Sequence, residues 1–203
     1  MKGIVIGAVL MLGLAGAGRA ELLTGQVMVQ SKDGRVLGLS TSGGLTAVAY
    51  GENTHVTGIP SLADIQVCDE VEIDYTRSGA SRFITSLALK NKGSAESCPI
   101  LRSPTVAAAD LYRALDAKSA AVFDVRSAGE YRAAHFAGAV NVPLDELESR
   151  IAEIPQDKPV ILYCGSGRRA LFAAVLLKER GVRVSYVKGK FVVQDGKPQI
   201  LEQ

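Results

Sequence analysis

The sequence predicts two folded parts of different class: a small all-β, barrel-like domain over residues 21–98 and an α/β domain over residues 99–203, a rhythm of strands and helices that builds a parallel sheet flanked by helices. Three observations carry this reading. Up to about Lys90 the chain is a series of short apolar or alternating runs separated by glycine-containing turns. Beyond a polar, proline-bearing stretch near residues 94–104, strand signals alternate with helical spacing. The charge balance shifts at the same place, from 6 Lys/Arg against 9 Asp/Glu in residues 21–98 to 15 against 12 in residues 99–203.

Residues 1–20 stand apart. Lys2 is followed by an uninterrupted apolar and small-residue run from Gly3 to Leu14, and Gly18-Arg19-Ala20 fits a small-x-small cleavage site. The expectation is a signal peptide cut before Glu21 and an exported, periplasmic protein. A membrane anchor needs about 20 apolar residues; this segment is shorter and rich in Gly and Ala, so no stable membrane insertion is expected after cleavage. Cleavage removes Lys2 and Arg19 and no acid, leaving 21 Lys/Arg against 21 Asp/Glu. A neutral balance gives no electrostatic case for nucleic acid as a partner.

In the first domain, "TGQVMVQ" is followed by the turn Lys32-Asp33-Gly34, then "RVLGLS", the turn Ser42-Gly43-Gly44, and "LTAVAY". "DEVEIDYT" alternates Val71, Ile73 and Tyr75 with Glu72 and Asp74, a period-2 strand with one wet face, and a turn at Ser78-Gly79 leads to "SRFITSLALK". The stretch around "SLADIQVCDEVEIDYT" resembles a small-barrel pattern of exported bacterial domains, with OB-like topology as the expectation and Cys68 standing where that pattern has glycine. In the second domain, "AADLYRALDAK" and "LDELESRIAEI" carry apolar residues at helical steps. "AAVFDVR", "PVILYC" and "VRVSYV" are strand signals, and "RALFAAVLLKER" is a helix stopped by Gly181.

The chain has three cysteines, at 68, 98 and 164. Export implies an oxidising compartment in which two pair and one is left. Cys68 and Cys98 both lie in the N-terminal half, so a Cys68–Cys98 bridge is the expectation, against the alternative of three unlinked buried residues. Cys164 ends a strand, and Gly165-Ser166-Gly167 leads into a helix near Arg168. Ligands of open α/β sheets sit at the carboxyl ends of strands. A glycine turn backed by a helix N-terminus gathers N–H groups around an anion, here the cysteine's own thiolate. Arg168 and Arg169 add positive charge. Phosphate-transferring cysteine enzymes place an arginine after five intervening residues, where this chain has Ala170; Arg169 comes one residue early, and the smaller loop suits attack on sulfane sulfur. A cysteine phosphatase or arsenate reductase is disfavoured on that count.

The segments "VFDVRSAGEYRAAHFAGAVNVPLDEL" (residues 122–147) and "VILYCGSGRRA" resemble the two signatures of the rhodanese sulfurtransferases, over roughly residues 103–200. "YVKGKF" is similar to the family's final strand, although the family often has two glycines and a tryptophan where this chain has Gly189, Lys190 and Phe191. The resemblance implies an enzyme in which Cys164 takes sulfane sulfur from a small anionic donor such as thiosulfate. The persulfide then passes the sulfur to cyanide or a thiol, a protein thiol included, without a cofactor. It also implies that the backbone of Gly165, Ser166, Gly167, Arg168 and Arg169 cradles the persulfide, with Arg169 as the anion contact. Mercaptopyruvate ranks second as donor, and a non-catalytic sulfur-carrier or partner-binding module is the alternative function. Asp124 and Arg126 are read as a structural ion pair, and His135 as an anchor of its turn. No Cys/His cluster has metal-ligand spacing.

Overall fold

The computed structural model describes residues 20–32, 35–94 and 102–202. Residues 1–19 of the leader expected before Glu21, Asp33-Gly34 of the first turn and Cys98 lie outside the described residues. Five strands, β1 (Glu21–Ser31), β2 (Val36–Thr41), β3 (Gly44–Thr57), β4 (Glu70–Ser78) and β5 (Ser81–Asn91), close a barrel in the order β1-β2-β3-β5-β4, with β3 and β5 parallel and the other pairs antiparallel. This is a five-stranded Greek-key barrel of the OB kind. Val27, Leu37, Leu39, Val48, Val71, Ile73 and Leu87 fill its interior. Cys68 has φ of 80°, a left-handed backbone that explains why a glycine suits this place in such barrels.

The second half is a parallel sheet of order β6-β10-β9-β7-β8, made of β6 (Thr105–Val106), β7 (Ala121–Asp124), β8 (Val140–Asn141), β9 (Val160–Tyr163) and β10 (Val184–Val187). Helices α1 (Ala108–Ala117), α2 (Ala128–Ala133) and α3 (Arg168–Glu179) connect the strands. The segment Leu144–Ile154, expected as a helix, instead runs through turns into a short 3-10 helix at Ile151–Glu153. Its apolar face is nevertheless buried through Leu144, Leu147 and Ile154. Most of its backbone bonds span three residues, and the Ser149 hydroxyl donates back to the Glu146 carbonyl, a local bond that competes with helix propagation. After β10 the chain adds a hairpin the sequence reading left out, β11 (Gly189–Gln194) with β12 (Lys197–Glu202), turning at Asp195-Gly196.

The two halves share one core. Met28, Val29, Val36, Leu45 and Ala47 on the outside of the barrel pack in the same cluster as Phe172, Leu176 and Leu177 of α3 and Leu144 and Leu147. A register shift between Val27 and Val29 lets neighbouring residues of β1 serve both sides: Val27 faces the barrel interior while Met28 and Val29 face α3. A polar rim closes this contact. The Glu148 carboxylate accepts from Thr46 Oγ1 (2.6 Å), from Arg82 and from Arg180 Nη2 (3.0 Å), and Ser81 donates to Asp145 (2.9 Å). At Gly38 the barrel meets α3 closely: a β-carbon there would lie 2.8 Å from the ring of fully buried Phe172. Gly38→Val is therefore expected to cost about 1–3 kcal/mol through overpacking, read as a lowered midpoint in urea unfolding. An unchanged midpoint would contradict the close packing.

Candidate active site

Strand β9 carries Val160 to Tyr163 into the middle of the sheet, all four buried, and delivers Cys164 at its carboxyl end. The Cys164 side is closed below by the core, where the residue is 1% exposed, and it is a free thiol. The chain then turns through Gly165 and exposed Ser166 to Gly167, whose φ of 80° places it at the N-cap of α3. A left-handed residue is needed there, and a β-carbon would touch Lys188 Cα and the Val187 carbonyl at 3.4 Å. The Gly165 carbonyl accepts from Phe191 N–H (3.0 Å), so the terminal hairpin tethers the loop. The first-turn N–H groups of a helix have no intrahelical acceptor, and that of Ala170 points at Cys164 Sγ, 3.4 Å away. The sulfur therefore sits at the positive end of a 12-residue helix dipole, a setting that favours negative charge on it.

The two arginines of the loop differ in role. Arg169, expected to contact the anion, is 4% exposed and instead binds Glu130 in a bidentate pair, Nη1 to Oε2 and Nη2 to Oε1, both 2.7 Å. The guanidinium therefore braces the loop from beneath, against Gly165, rather than facing solvent. Burial works against the charge of Glu130, yet the Arg169 hydrogen bonds and the Ser127 N–H hold its carboxyl below the ordinary range. Arg169 is raised for the matching reason: desolvation opposes its charge, and Glu130 outweighs it. Arg168 is the exposed cation.

Glu130 was missed in the sequence, although the signal was there. Ser127-x-x-Glu130 is a capping box at the start of α2, with Ser127 Oγ accepting from Glu130 N–H (3.3 Å) and Glu130 Oε2 accepting from Ser127 N–H (3.0 Å). The same carboxylate thus caps α2 and holds α3's first turn. Beside it, Asp124 (0% exposed) pairs with Arg126 through Nε (3.0 Å) and Nη2 (2.6 Å), and Arg126 also donates to the Ala134 carbonyl (2.6 Å). The Arg126 guanidinium lies 3.8 Å from the centre of the Phe191 ring, so phenylalanine supplies the flat apolar cover at this place. Asn141 bridges the carbonyls of Asp124 (2.8 Å) and Arg126 (2.9 Å). His135 is exposed, stacks on Tyr131 at 3.8 Å and bonds through Nδ1 to the Tyr131 carbonyl (2.9 Å); it fixes its turn and stays outside the cysteine loop.

On the outer face of the loop lies a pocket of about 280 Å³ lined by Ser166, Arg168 and Arg169 and, from the barrel, by Gln30, Ser31 and Lys32. The structure thus brings Cys164, the loop, Asp124 and Arg126 together, keeps His135 apart, and adds Glu130 and the end of β1.

Residues 107–193 match the family described as "Rhodanese-like domain". The chain is 41% identical over 81 residues to the Bacillus subtilis (strain 168) protein YqhL, covering 39% of this chain and 64% of that one. It is 34% identical over 93 residues to the human thiosulfate:glutathione sulfurtransferase, covering 39% of this chain and 81% of the relative. It is 29% identical over 131 residues to the putative sulfur carrier protein YrkF of Bacillus subtilis (strain 168), covering 64% and 71%. Among solved structures, a rhodanese-related protein of Thermoplasma volcanium matches at 30% identity and a TM-score of 0.41, covering 43% of this chain and 86% of that one. The family match spans the part that carries the Cys164 loop, and with the relatives above it shows that the chain belongs to the rhodanese-like family, in which sulfur transfer is the common chemistry.

Proposed function

We propose that the protein is an exported, periplasmic sulfurtransferase that moves sulfane sulfur from thiosulfate or a similar small anion to cyanide or a thiol through a persulfide on Cys164. The observation that supports this most is the sulfur of Cys164 at the N-terminus of α3, taking the Ala170 N–H under a loop that closes after six residues at Arg169. The Cys164 thiolate attacks the outer sulfur of thiosulfate. A new S–S bond forms to Sγ, the donor's S–S bond breaks, and sulfite leaves with the electron pair. In the second half, cyanide or a thiolate attacks the outer sulfur of the persulfide, and the Cys164 thiolate departs with the bonding pair. Ala170 N–H and the helix dipole stabilise that thiolate at both ends of the cycle. No cofactor is called for.

Export fits the leader-like residues 1–20, and it fits a Cys68–Cys98 bridge. Cys164 is a free thiol, which supports reading it as the odd, reactive cysteine. The test is thiocyanate formation from thiosulfate and cyanide by the protein cleaved before Glu21. Turnover is the expected result; no turnover with any sulfane donor would overturn the reading. A second reading, a sulfur carrier serving a protein thiol, draws on the similarity to a putative carrier. Fast stoichiometric loading of Cys164 with slow release to cyanide would favour it.

A further inference from the structure

The pocket over the Cys164 loop has a wall that the α/β half does not supply. Of its lining residues, Gln30, Ser31 and Lys32 come from the end of β1 and the turn after it, and the charged ones are all cations: Lys32, Arg168 and Arg169. Arg169 is neutralised by Glu130. Arg168 and Lys32 are exposed and pair with no carboxylate among the described residues. Lys32 stands out against its own barrel, which carries more acids than bases. There Arg35 pairs with Glu52, Arg77 with Glu21, Arg82 with Glu148, Lys90 with Glu72 and Lys92 with Asp69. Lys32 is the barrel cation without such a partner among the described residues, and it is the one beside the cysteine loop. The position is not loosely held, since β1 packs on α3 through Met28 and Val29 and the Gln30 side chain donates to the Leu62 carbonyl (2.7 Å).

We infer that the barrel completes the sulfur-transfer site: Lys32 and Arg168 form a two-cation rim that binds the anionic end of the sulfur donor while its outer sulfur meets Cys164. This inference rests on the sulfur-transfer reading above. Cys164 is closed off by the core on its inner side, so a donor reaches it from the loop face, where Ser166 and Arg168 are exposed and the barrel stands opposite. Two cations there, without a carboxylate partner among the described residues, select dianions such as thiosulfate over uncharged donors by Coulomb attraction at short range.

The test compares wild type, Lys32→Glu, Lys32→Ala and Lys32→Arg in turnover with thiosulfate and in alkylation of the Cys164 thiolate by iodoacetamide, an uncharged reagent whose carbon bonds to Sγ as iodide leaves, using Lys158→Ala as a distant control. Lys32→Glu is expected to raise KM for thiosulfate about tenfold and Lys32→Ala about threefold, in keeping with one partly screened charge. In both, kcat stays near wild type, Lys32→Arg retains wild-type KM, and the rate of Cys164 alkylation by iodoacetamide is unchanged. Wild-type KM for thiosulfate in Lys32→Glu, or an equal loss with thiosulfate and with iodoacetamide, would overturn the proposal while leaving the sulfur-transfer reading standing. No sulfur loading of wild-type Cys164 from any sulfane donor would overturn both.

Discussion

Cys164→Ser is expected to lose thiocyanate formation by at least about 10³-fold while unfolding within about 1–2 kcal/mol of wild type. The two parts of this result have separate causes. A serine hydroxyl is close in shape, and its oxygen can accept the Ala170 N–H that now meets Sγ, so the loop keeps its contact. An alkoxide is inaccessible near neutral pH and does not form a stable bond to sulfane sulfur, so the carrier step vanishes. Equal loss of activity and of stability would point to a structural cysteine, the alternative that 1% exposure would otherwise allow. Thiocyanate assay and urea unfolding of the same preparation separate the two.

The second large effect concerns Glu130. Glu130→Ala leaves Arg169 buried without its bidentate partner and strips the capping box from α2, and the expected loss is about 3–5 kcal/mol. Its pH dependence has a definite sign. The folded-state carboxyl of Glu130 lies below its ordinary value of 4.5, so its contribution is fully present above that value and is lost as pH falls through the lowered folded value. Wild type should therefore lose stability on acidification below about pH 4.5 more steeply than Glu130→Gln, which has no carboxyl to protonate at that position. Parallel acid limbs for the two proteins, measured by urea unfolding at stepped pH, would contradict the pairing. Asp145 contributes with the opposite sign, because burial raises its carboxyl and the folded state binds its proton more readily than the unfolded chain.

The parts of the fold that are legible in the sequence are those where local chemistry and tertiary need agree. The alternation of "VEIDY" becomes β4 with Val71, Ile73 and Tyr75 buried, and "VILY" becomes the central buried strand β9. Gly167 before Arg168 marks both the turn and the helix start because only a left-handed residue can make that junction. Leu144, Leu147 and Ile154 give the right buried face but the wrong element, since side-chain bonds from Glu148 and Ser149 to the barrel settle the backbone there and helical spacing alone does not see them. The terminal hairpin carried a readable Asp-Gly turn between apolar runs. The shared core was readable too: "QVMVQ" has consecutive apolar residues where a strand with one wet face would alternate, the mark of burial on both sides.

The site divides in the same way. Cys164 and its glycines are contiguous and could be found by spacing. The role of Arg169 could not, because its partner Glu130 lies 39 residues away and only the fold joins α2 to α3. Lys32 is more distant still, and nothing in the turn "SKDGR" indicates that it faces the cysteine loop. Residues that act through pairing across elements need the topology first.

The proposed function requires that Cys164 carry the sulfur. The most direct measurement is the mass of the Cys164 peptide after incubating the reduced protein with thiosulfate, then with cyanide. The predicted result is a gain of one sulfur atom on that peptide, at close to one per chain, removed by cyanide with release of thiocyanate. An unmodified Cys164 peptide, or sulfur found elsewhere in the chain, would contradict it.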